Sequence, residues 1–261
     1  MTAPDIASAA RHFQENLDTG DRIPELPEAW RPRTVAEGWA IQQAFAQAFR
    51  APVAGWKIAA TSKAGQAHIN VDGPLPGRIL GERLIPDHVT IELAPNLMRV
   101  IEAEFAFVLG EDLAPRETPY TVDEVMECVT DLCLTMEVPD SRFTDFTKVG
   151  KAQLLADNAC AWWLVESPPV EADWRKVDLS QQVVKVYRNG ELAATGSGAN
   201  VLGDPRVALA WLVNELGALE TTVCSGELVT TGTCVVPVPV APEDEMIADF
   251  GALGSLRVHF G

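Results

Sequence analysis

The stretch MRVIEAEFAFV, Met98 to Val108, constrains the fold of this chain more than any other. Successive side chains of a β-strand point to opposite faces, so alternation sorts the segment into two sets. Ile101, Ala103, Phe105 and Phe107 share one face and read as core, while Glu102, Glu104 and Ala106 share the other. Two carboxylates then stand side by side, about 7 Å apart at roughly 3.3 Å rise per residue. Ionised carboxylates that close repel each other unless one is protonated, a cation sits between them, or both face water. Oxygen ligands on a strand suit a small hard cation such as Mg²⁺. An edge strand with one wet face fits the same pattern, so alternation alone leaves both readings open.

The remaining pattern puts helices before that strand and mostly strands after it. Residues 4–17 are amphipathic, with Ile6, Ala9, Ala10 and Phe13 on one side, and Val35, Trp39, Phe45 and Phe49 space a second helix from Thr34 to Arg50. Thr34 with Glu37 forms its capping box. GWKIAATS is short and β-like, after which Gly65, Gly73, Pro74, Pro76 and Gly77 interrupt any long regular element. A boundary is expected there, dividing a helical N-terminal portion, residues 1–77, from a β-rich catalytic domain, residues 78–261. Strands are expected at Val89–Leu93, Val100–Leu109 and Leu134–Val138, with a helix over Thr121–Leu132 capped by Thr121 and Glu124. Asn189-Gly190, between Val183–Arg188 and Glu191–Thr195, is a hairpin signal. Asp204-Pro205 starts a helix reaching about Leu216, with Gly217 ending it. The tail, closing on SLRVHF, reads as further strands. Hairpin-linked strands with few βαβ units make the fold class α+β, built on curved, mainly antiparallel sheets.

Thirty-seven acidic against 20 basic residues give a formal charge of −17. Such a field disfavours a nucleic-acid backbone or an anionic membrane as partner. It also repels an anionic substrate unless a local cation reverses the potential at the site. The cysteines (Cys128, Cys133, Cys160, Cys224, Cys234) have no metal-ligand spacing and an odd count, which suits reduced, mostly buried thiols. The start, MTAPDIASAARHF, lacks a signal or transit pattern, and no apolar run nears the ~20 residues of a membrane span. A cytoplasmic protein is expected.

Glu137 ends an apolar strand in LCLTMEVPDSRF, where an unpaired carboxylate is costly to bury. With Glu102 and Glu104 it would complete a three-carboxylate site for a hard divalent cation. Alternatively, it pairs with Arg142 or caps something local. Lys57 lies between Trp56 and Ile58, and apolar neighbours tend to lower a lysine pKa, letting it move protons near neutrality. A surface lysine lying over a tryptophan is the other reading. His12, His68, His88 and His259 are scattered and read as structural or exposed. Serine-nucleophile and phosphate-loop motifs are absent.

In chain order, GWKIAATS, IEAEFAFVLGEDL, EVPDSRF, ADNA, ATGSGANVLGDPRVALAWLVN and the segment from VTTGTC through PVPVAPEDEMIADFGALGSLRVHF carry a resemblance. Together they resemble the 2-keto-4-pentenoate hydratase / 4-oxalocrotonate decarboxylase family of the fumarylacetoacetate hydrolase superfamily. The resemblance implies a fumarylacetoacetate hydrolase-like β-roll, a homo-oligomer, and an acid/base lysine at Lys57. It also implies a divalent metal, Mg²⁺ or Mn²⁺, on the acids matching Glu102, Glu104 and Glu137. The implied substrate is a small anionic 2-hydroxydienoate or 2-oxo acid from meta-cleavage breakdown of aromatic compounds, whose carboxylate and adjacent oxygen chelate the metal. Hydration is the expected reaction. Ser141, Arg142, Asn158 and Thr233 are expected near the substrate, with Asp140 and Asp157 beside them. Arg142 would equally serve as a partner of the metal carboxylates, and Asn158 as a turn residue.

Two positions depart from the family pattern. Leu75 stands in GPLPG where the hydratases read like QPDFG, with an acid that helps handle the water. Asp204 precedes Pro205 where the family often has histidine, and either residue caps a helix. The first departure raises decarboxylation of a 2-oxo diacid as the runner-up. C–C hydrolysis of an acylpyruvate and an inactive binding or scaffold homologue are the further alternatives.

Overall fold

The computed structural model describes residues 1–261, the side chains of Pro4 and Asp18 excepted. Two helices come first, α1 (Ala3–Thr19) and α2 (Val35–Ala46). The chain then runs through β1 (Val53–Ala59), α3 (Lys63–His68), β2 (Leu75–Leu80), β3 (Leu84–Pro86), β4 (Val89–Ile91), β5 (Val100–Leu109) and α4 (Val122–Glu127). Next come β6 (Val129–Val138), α5 (Lys151–Ala156), β7 (Trp163–Glu166), β8 (Val183–Arg188), β9 (Glu191–Ser197) and α6 (Pro205–Ala218). The last strands are β10 (Leu228–Thr233), β11 (Val238–Pro239), β12 (Glu245–Asp249) and β13 (Ser255–Phe260).

Two sheets result. One follows the order β2-β1-β10-β5-β6-β7-β3, with β11 also pairing β5, and the other follows β4-β13-β12-β8-β9. The β1–β10, β3–β7 and β4–β13 pairs are parallel and the others antiparallel. The mixture is the α+β architecture expected from the hairpin-rich pattern. Asn189 and Gly190 turn the β8–β9 hairpin with φ of 53° and 80°, the pair of left-handed residues that a type I′ turn requires.

β5 is two-faced, one face lying in the core and the other largely buried, with Glu102 half-buried. Ile101, Ala103, Phe105 and Phe107 are fully buried in a core shared with Val184, Val186, Met246 and Val258 of the smaller sheet. The ring of Phe105 meets that of Phe250 edge-on at 5.1 Å. On the opposite face Glu104 and Ala106 are also buried. β5 lies between β10 and β6, so the wet edge-strand reading fails.

Three boundaries shift from their expected places. The helix begun at Thr121 has its capping box, with Glu124 N–H donating to Thr121 Oγ1 at 3.2 Å, yet it stops at Glu127. Residues 129–132 instead start β6, which pairs along β5 from Val129 to Glu137. Their apolar spacing is helical, but a long partner strand overrides local preference. α2 keeps its Thr34–Glu37 box and ends at Ala46, short of Arg50, with Phe49 folding back on Phe45 at 5.2 Å. Pro76 and Gly77, expected in an irregular link, lie inside β2. β2 is the last strand of its sheet, where a proline removes no interior hydrogen bond. Residue 77 therefore falls within a strand that pairs with β1.

The N-terminal helices build a second, smaller core. Ala9, Ala10 and Phe13 of α1 meet Ile41 and Phe45 of α2, and Phe13 meets Phe143 edge-on at 5.5 Å. β1 carries the same portion of chain into the large sheet beside β10. A buried polar tie joins the parts. Arg142 pairs with Asp157, Ser141 Oγ donates to Asp157 Oδ2 at 2.6 Å, and Arg22 pairs with Asp140. All five cysteines are free, and no helix among the described residues is long and apolar enough to cross a membrane.

Removing one member of a buried ion pair strands the other charge. Arg142→Ala is expected to lower the unfolding free energy by about 3–5 kcal/mol, seen as an earlier urea midpoint. The double variant Arg142→Met/Asp157→Leu, which leaves no orphan charge, should recover much of that loss. An unshifted midpoint in the single variant would refute the tie.

Candidate metal centre

Register brings the three glutamates together. β5 and β6 pair with Glu102 opposite Glu137 and Glu104 opposite Thr135. One carboxylate oxygen from each glutamate lies within 4.8 Å of the other two. Like charges directly opposite one another destabilise a sheet, so the arrangement calls for compensation. β10 supplies one donor. Its register shifts between Thr230 and Thr233, and Gly232, at φ 100°, donates its N–H to Glu104 Oε2 at 2.9 Å. A side chain at Gly232 would strike Thr61, its Cβ standing 2.3 Å from Thr61 Oγ1. Glu104 Oε1 and Glu137 Oε2 are buried without any hydrogen-bond partner.

Lys57 reaches the cluster from β1. Its Nζ lies 3.2 Å from Glu137 Oε1 and donates to the carbonyl oxygen of Ala159 at 3.0 Å. Gly77, opposite Lys57 on β2, leaves room for the side chain, since a Cβ there would stand 2.9 Å from Lys57 Cδ. The Ala159 carbonyl belongs to a turn in which Asn158, Ala159 and Cys160 have φ of 54°, 50° and 62°. A left-handed non-glycine residue costs roughly 1–2 kcal/mol, so such a run persists only where neighbours hold it. Asn158 Oδ1 accepts from Arg78 N–H at 2.7 Å, and its Nδ2 donates to Arg78 O at 2.8 Å. From the other side Arg142 donates to the carboxylate and carbonyl of Asp157 and to Ala161 O.

A cavity of about 670 Å³ opens beside the cluster, with Lys57, Glu102 and Thr233 in its lining. Thr233, expected near the substrate, lines this cavity, its Oγ1 donating to Val235 O at 2.8 Å. Ser141, Arg142 and Asn158 do not line this cavity, and their polar groups are committed to Asp157, Ala161 and Arg78. Asn158 lies in the left-handed turn, with both ends of its amide on the Arg78 backbone. Glu137 pairs with Lys57 and Arg142 with Asp157, so the Glu137–Arg142 alternative fails. Lys57 is buried, not draped over the surface.

Some contributors escaped the sequence reading. The Ala159 carbonyl is backbone and leaves no side-chain signal. Gly232 did leave one, because a glycine inside a strand pattern marks a bulge or a close approach. His68 lines the cavity on its exposed side, edge-on to Phe146 at 5.9 Å.

Residues 81–260 match the fumarylacetoacetate (FAA) hydrolase C-terminal family. The chain belongs to the fumarylacetoacetate hydrolase family. Over its whole length it is 31% identical to a 2-keto-4-pentenoate hydratase of Paraburkholderia xenovorans, covering 96% of that protein. It is 29% identical to a 4-oxalocrotonate decarboxylase of a Pseudomonas species, again over its full length and 98% of the relative. A solved structure, 4-oxalocrotonate decarboxylase from Pseudomonas putida G7 complexed with magnesium and adipate, superposes with a TM-score of 0.91 at 26% identity. That match covers 100% of this chain and 99% of the other.

In this fumarylacetoacetate hydrolase family member the site residues fit a divalent cation. The donor set is all carboxylate oxygen, the preference of Mg²⁺ and its relatives, and two buried oxygens are unsatisfied. Burial pushes Glu137 up to about 7, against the pull of Lys57. Burial, then the charges of Glu137 and Glu102, push Glu104 well above the ordinary carboxylate value. Burial works to lower Lys57, but attraction to Glu137, Glu102 and Glu104 outweighs it and holds the ammonium charged.

A carboxyl that titrates higher folded than unfolded binds more protons when folded. Its contribution to stability is complete below the unfolded value of 4.5 and is lost as pH rises through about 7. A bound cation opposes that loss, because it binds the ionised carboxylates. Mg²⁺ at a hundred-fold excess over its Kd should therefore stabilise by ~2.7 kcal/mol at pH 8, raising Tm by about 5–10 °C. At pH 5 it should raise Tm little. A Tm shift of equal size at both pH values in differential scanning calorimetry would rule out binding through these carboxylates.

Proposed function

We propose that this chain is a divalent-cation-dependent lyase acting on a short 2-hydroxydienoate or 2-oxo acid, with hydration of the 2-keto-4-pentenoate type as its reaction. One observation carries the reading. A buried ammonium stands 3.2 Å from the Glu137 carboxylate of a three-glutamate cluster, and Lys57 and Glu102 of that group line a single cavity. Full-length similarity to hydratases and to a decarboxylase supports it.

Glu102, Glu104 and Glu137 would hold the cation, Mg²⁺ or Mn²⁺. When bound, it supplies compensating charge for an anionic substrate and Lewis-acid polarisation of the 2-oxo group. Lys57 carries the proton. Once the glutamate charge is compensated, burial governs the ammonium and favours release of its proton. Nζ gives a proton to C5 of the 2-hydroxydienoate and takes the one on the 2-hydroxyl, leaving a 2-oxo-3-enoate. Water then adds at C4 and a proton goes to C3, giving a 4-hydroxy-2-oxo acid. The Ala159 carbonyl keeps Nζ in place through these transfers.

Leu75 favours a second reading. It is 1% exposed and lines the cavity, at the position where the hydratase pattern carries its acid. Decarboxylation of a 2-oxo diacid needs no added water and no such acid.

Product identification separates these chemistries. With Mg²⁺ present, 2-hydroxypenta-2,4-dienoate should yield a 4-hydroxy-2-oxo acid. Release of CO₂ from 2-oxohex-3-enedioate would favour decarboxylation, and pyruvate from an acylpyruvate would indicate C–C hydrolysis. Inertness toward all three would remove the lyase reading. Lys57→Ala should lower turnover by about 10²- to 10⁴-fold, the usual contribution of a general acid–base. Glu104→Gln should abolish the heat of Mg²⁺ binding in a calorimetric titration, and a wild-type isotherm from that variant would dismiss the assigned ligand set.

A further inference from the structure

The cavity is much larger than the smallest substrate of the proposed reaction. A five-carbon oxo acid has about eight non-hydrogen atoms. At no more than the ~30 Å³ that a water molecule occupies per such atom, it fills at most about 240 Å³. The cavity measures about 670 Å³. Its remaining wall is mainly apolar, with Ile69, Leu75, Met98, Phe146 and Leu154, and the polar side chains among them, Thr61, Ser62, Asn200 and Thr233, are neutral.

Charge is absent from that wall. Among the lining residues only Lys57 and Glu102 carry a formal charge at neutral pH, and both belong to the cluster; His68 is the one further residue that can gain one. Lys63 of α3 and Lys151 of α5 come from elements that supply the wall, but neither side chain lines the cavity. Lys63 Nζ donates to Gln66 Oε1 at 3.2 Å, and Lys151 Nζ pairs with Asp72 Oδ1 at 2.6 Å. A second carboxylate carried into this space would lose water and find no fixed cation, which is costly. A hydrocarbon tail would gain from the same surface.

We infer that the protein prefers a 2-oxo or 2-hydroxydienoic monoacid bearing an apolar tail several carbons beyond C5, and selects against diacids. The inference rests on the head-group chemistry proposed above and names the substrate class that the same site takes. It bears on the second reading too, because a decarboxylase substrate of the oxalocrotonate type is a diacid.

Binding of saturated 2-oxo acids, which lack the double bonds needed for reaction, tests the tail apart from turnover. With Mg²⁺ saturating, calorimetric titration of the whole protein with 2-oxopentanoate, 2-oxohexanoate and 2-oxooctanoate should show affinity rising about three- to four-fold per added methylene. 2-Oxoadipate should bind at least about ten-fold more weakly than 2-oxohexanoate. Ile69→Arg, which places a guanidinium at a half-buried wall position, should narrow or invert that ratio. An affinity independent of tail length overturns the inference, as does tighter binding of 2-oxoadipate that His68→Gln abolishes. A rising series without turnover of any unsaturated analogue keeps the tail inference and sinks the lyase reading. Failure of every 2-oxo acid to bind refutes the head-group chemistry, and the tail inference with it.

Discussion

Four ionisable side chains crowded into one small volume, Lys57, Glu104 and Glu137 buried and Glu102 half-buried, dominate the energetics of this protein. Removing a charge from water costs several kcal/mol, so each needs a partner in the right place. The fold gives Lys57 two acceptors, Glu137 and the Ala159 carbonyl, and gives Glu104 one backbone donor from Gly232. It gives no donor to the second oxygens of Glu104 and Glu137. Three acids against one lysine leave an excess of negative charge, and a hard divalent cation is the group whose chemistry matches that excess.

The rest of the architecture makes such a cluster tolerable. β5 devotes one face to the core between the two sheets, and its phenyl rings lock against the smaller sheet. That packing fixes the strand, so the opposite face presents Glu102 and Glu104 in a set register with Glu137 on β6. The N-terminal portion is indispensable to the same site. β1 brings Lys57 into the large sheet next to β10, while α1 and α2 pack against the segment that carries Phe143. The left-handed turn at Asn158–Cys160 concentrates local strain beside the lysine, and the Arg142–Asp157 pair and the Asn158 amide offset it. Several buried polar residues thus serve the site at one remove, by fixing a carbonyl oxygen.

Much of the fold was legible because its signals are local. The Asn189-Gly190 turn, the two Thr–Glu capping boxes and the alternation of β5 each depend on residues a few positions apart, and each appears as the pattern requires. The failures occur where a distant partner outweighed a local preference. Residues 129–132 have helical spacing but lie against β5, and Pro76 and Gly77 look like a break but pair with β1 at the end of a sheet. Neither competing partner is near in sequence.

The sequence by itself determined the chemistry of the site: two carboxylates two residues apart on one strand, a third in an apolar segment, and a lysine among hydrophobic neighbours. It could do so because burying such groups is costly, and that cost is visible in composition and spacing alone. Which groups actually meet was decided only by tertiary structure. Arg142, Ser141 and Asn158 have donors suited to an anionic ligand, yet strand order and the turn after α5 direct them to Asp157, Ala161 and Arg78. The size and mainly apolar lining of the cavity are likewise tertiary facts, since its wall is assembled from side chains of α3, α5, β2 and the segment before Glu102. A side chain carries its own hydrogen-bonding capacity and charge, but the partner it uses is whichever one the packing of distant segments places within reach.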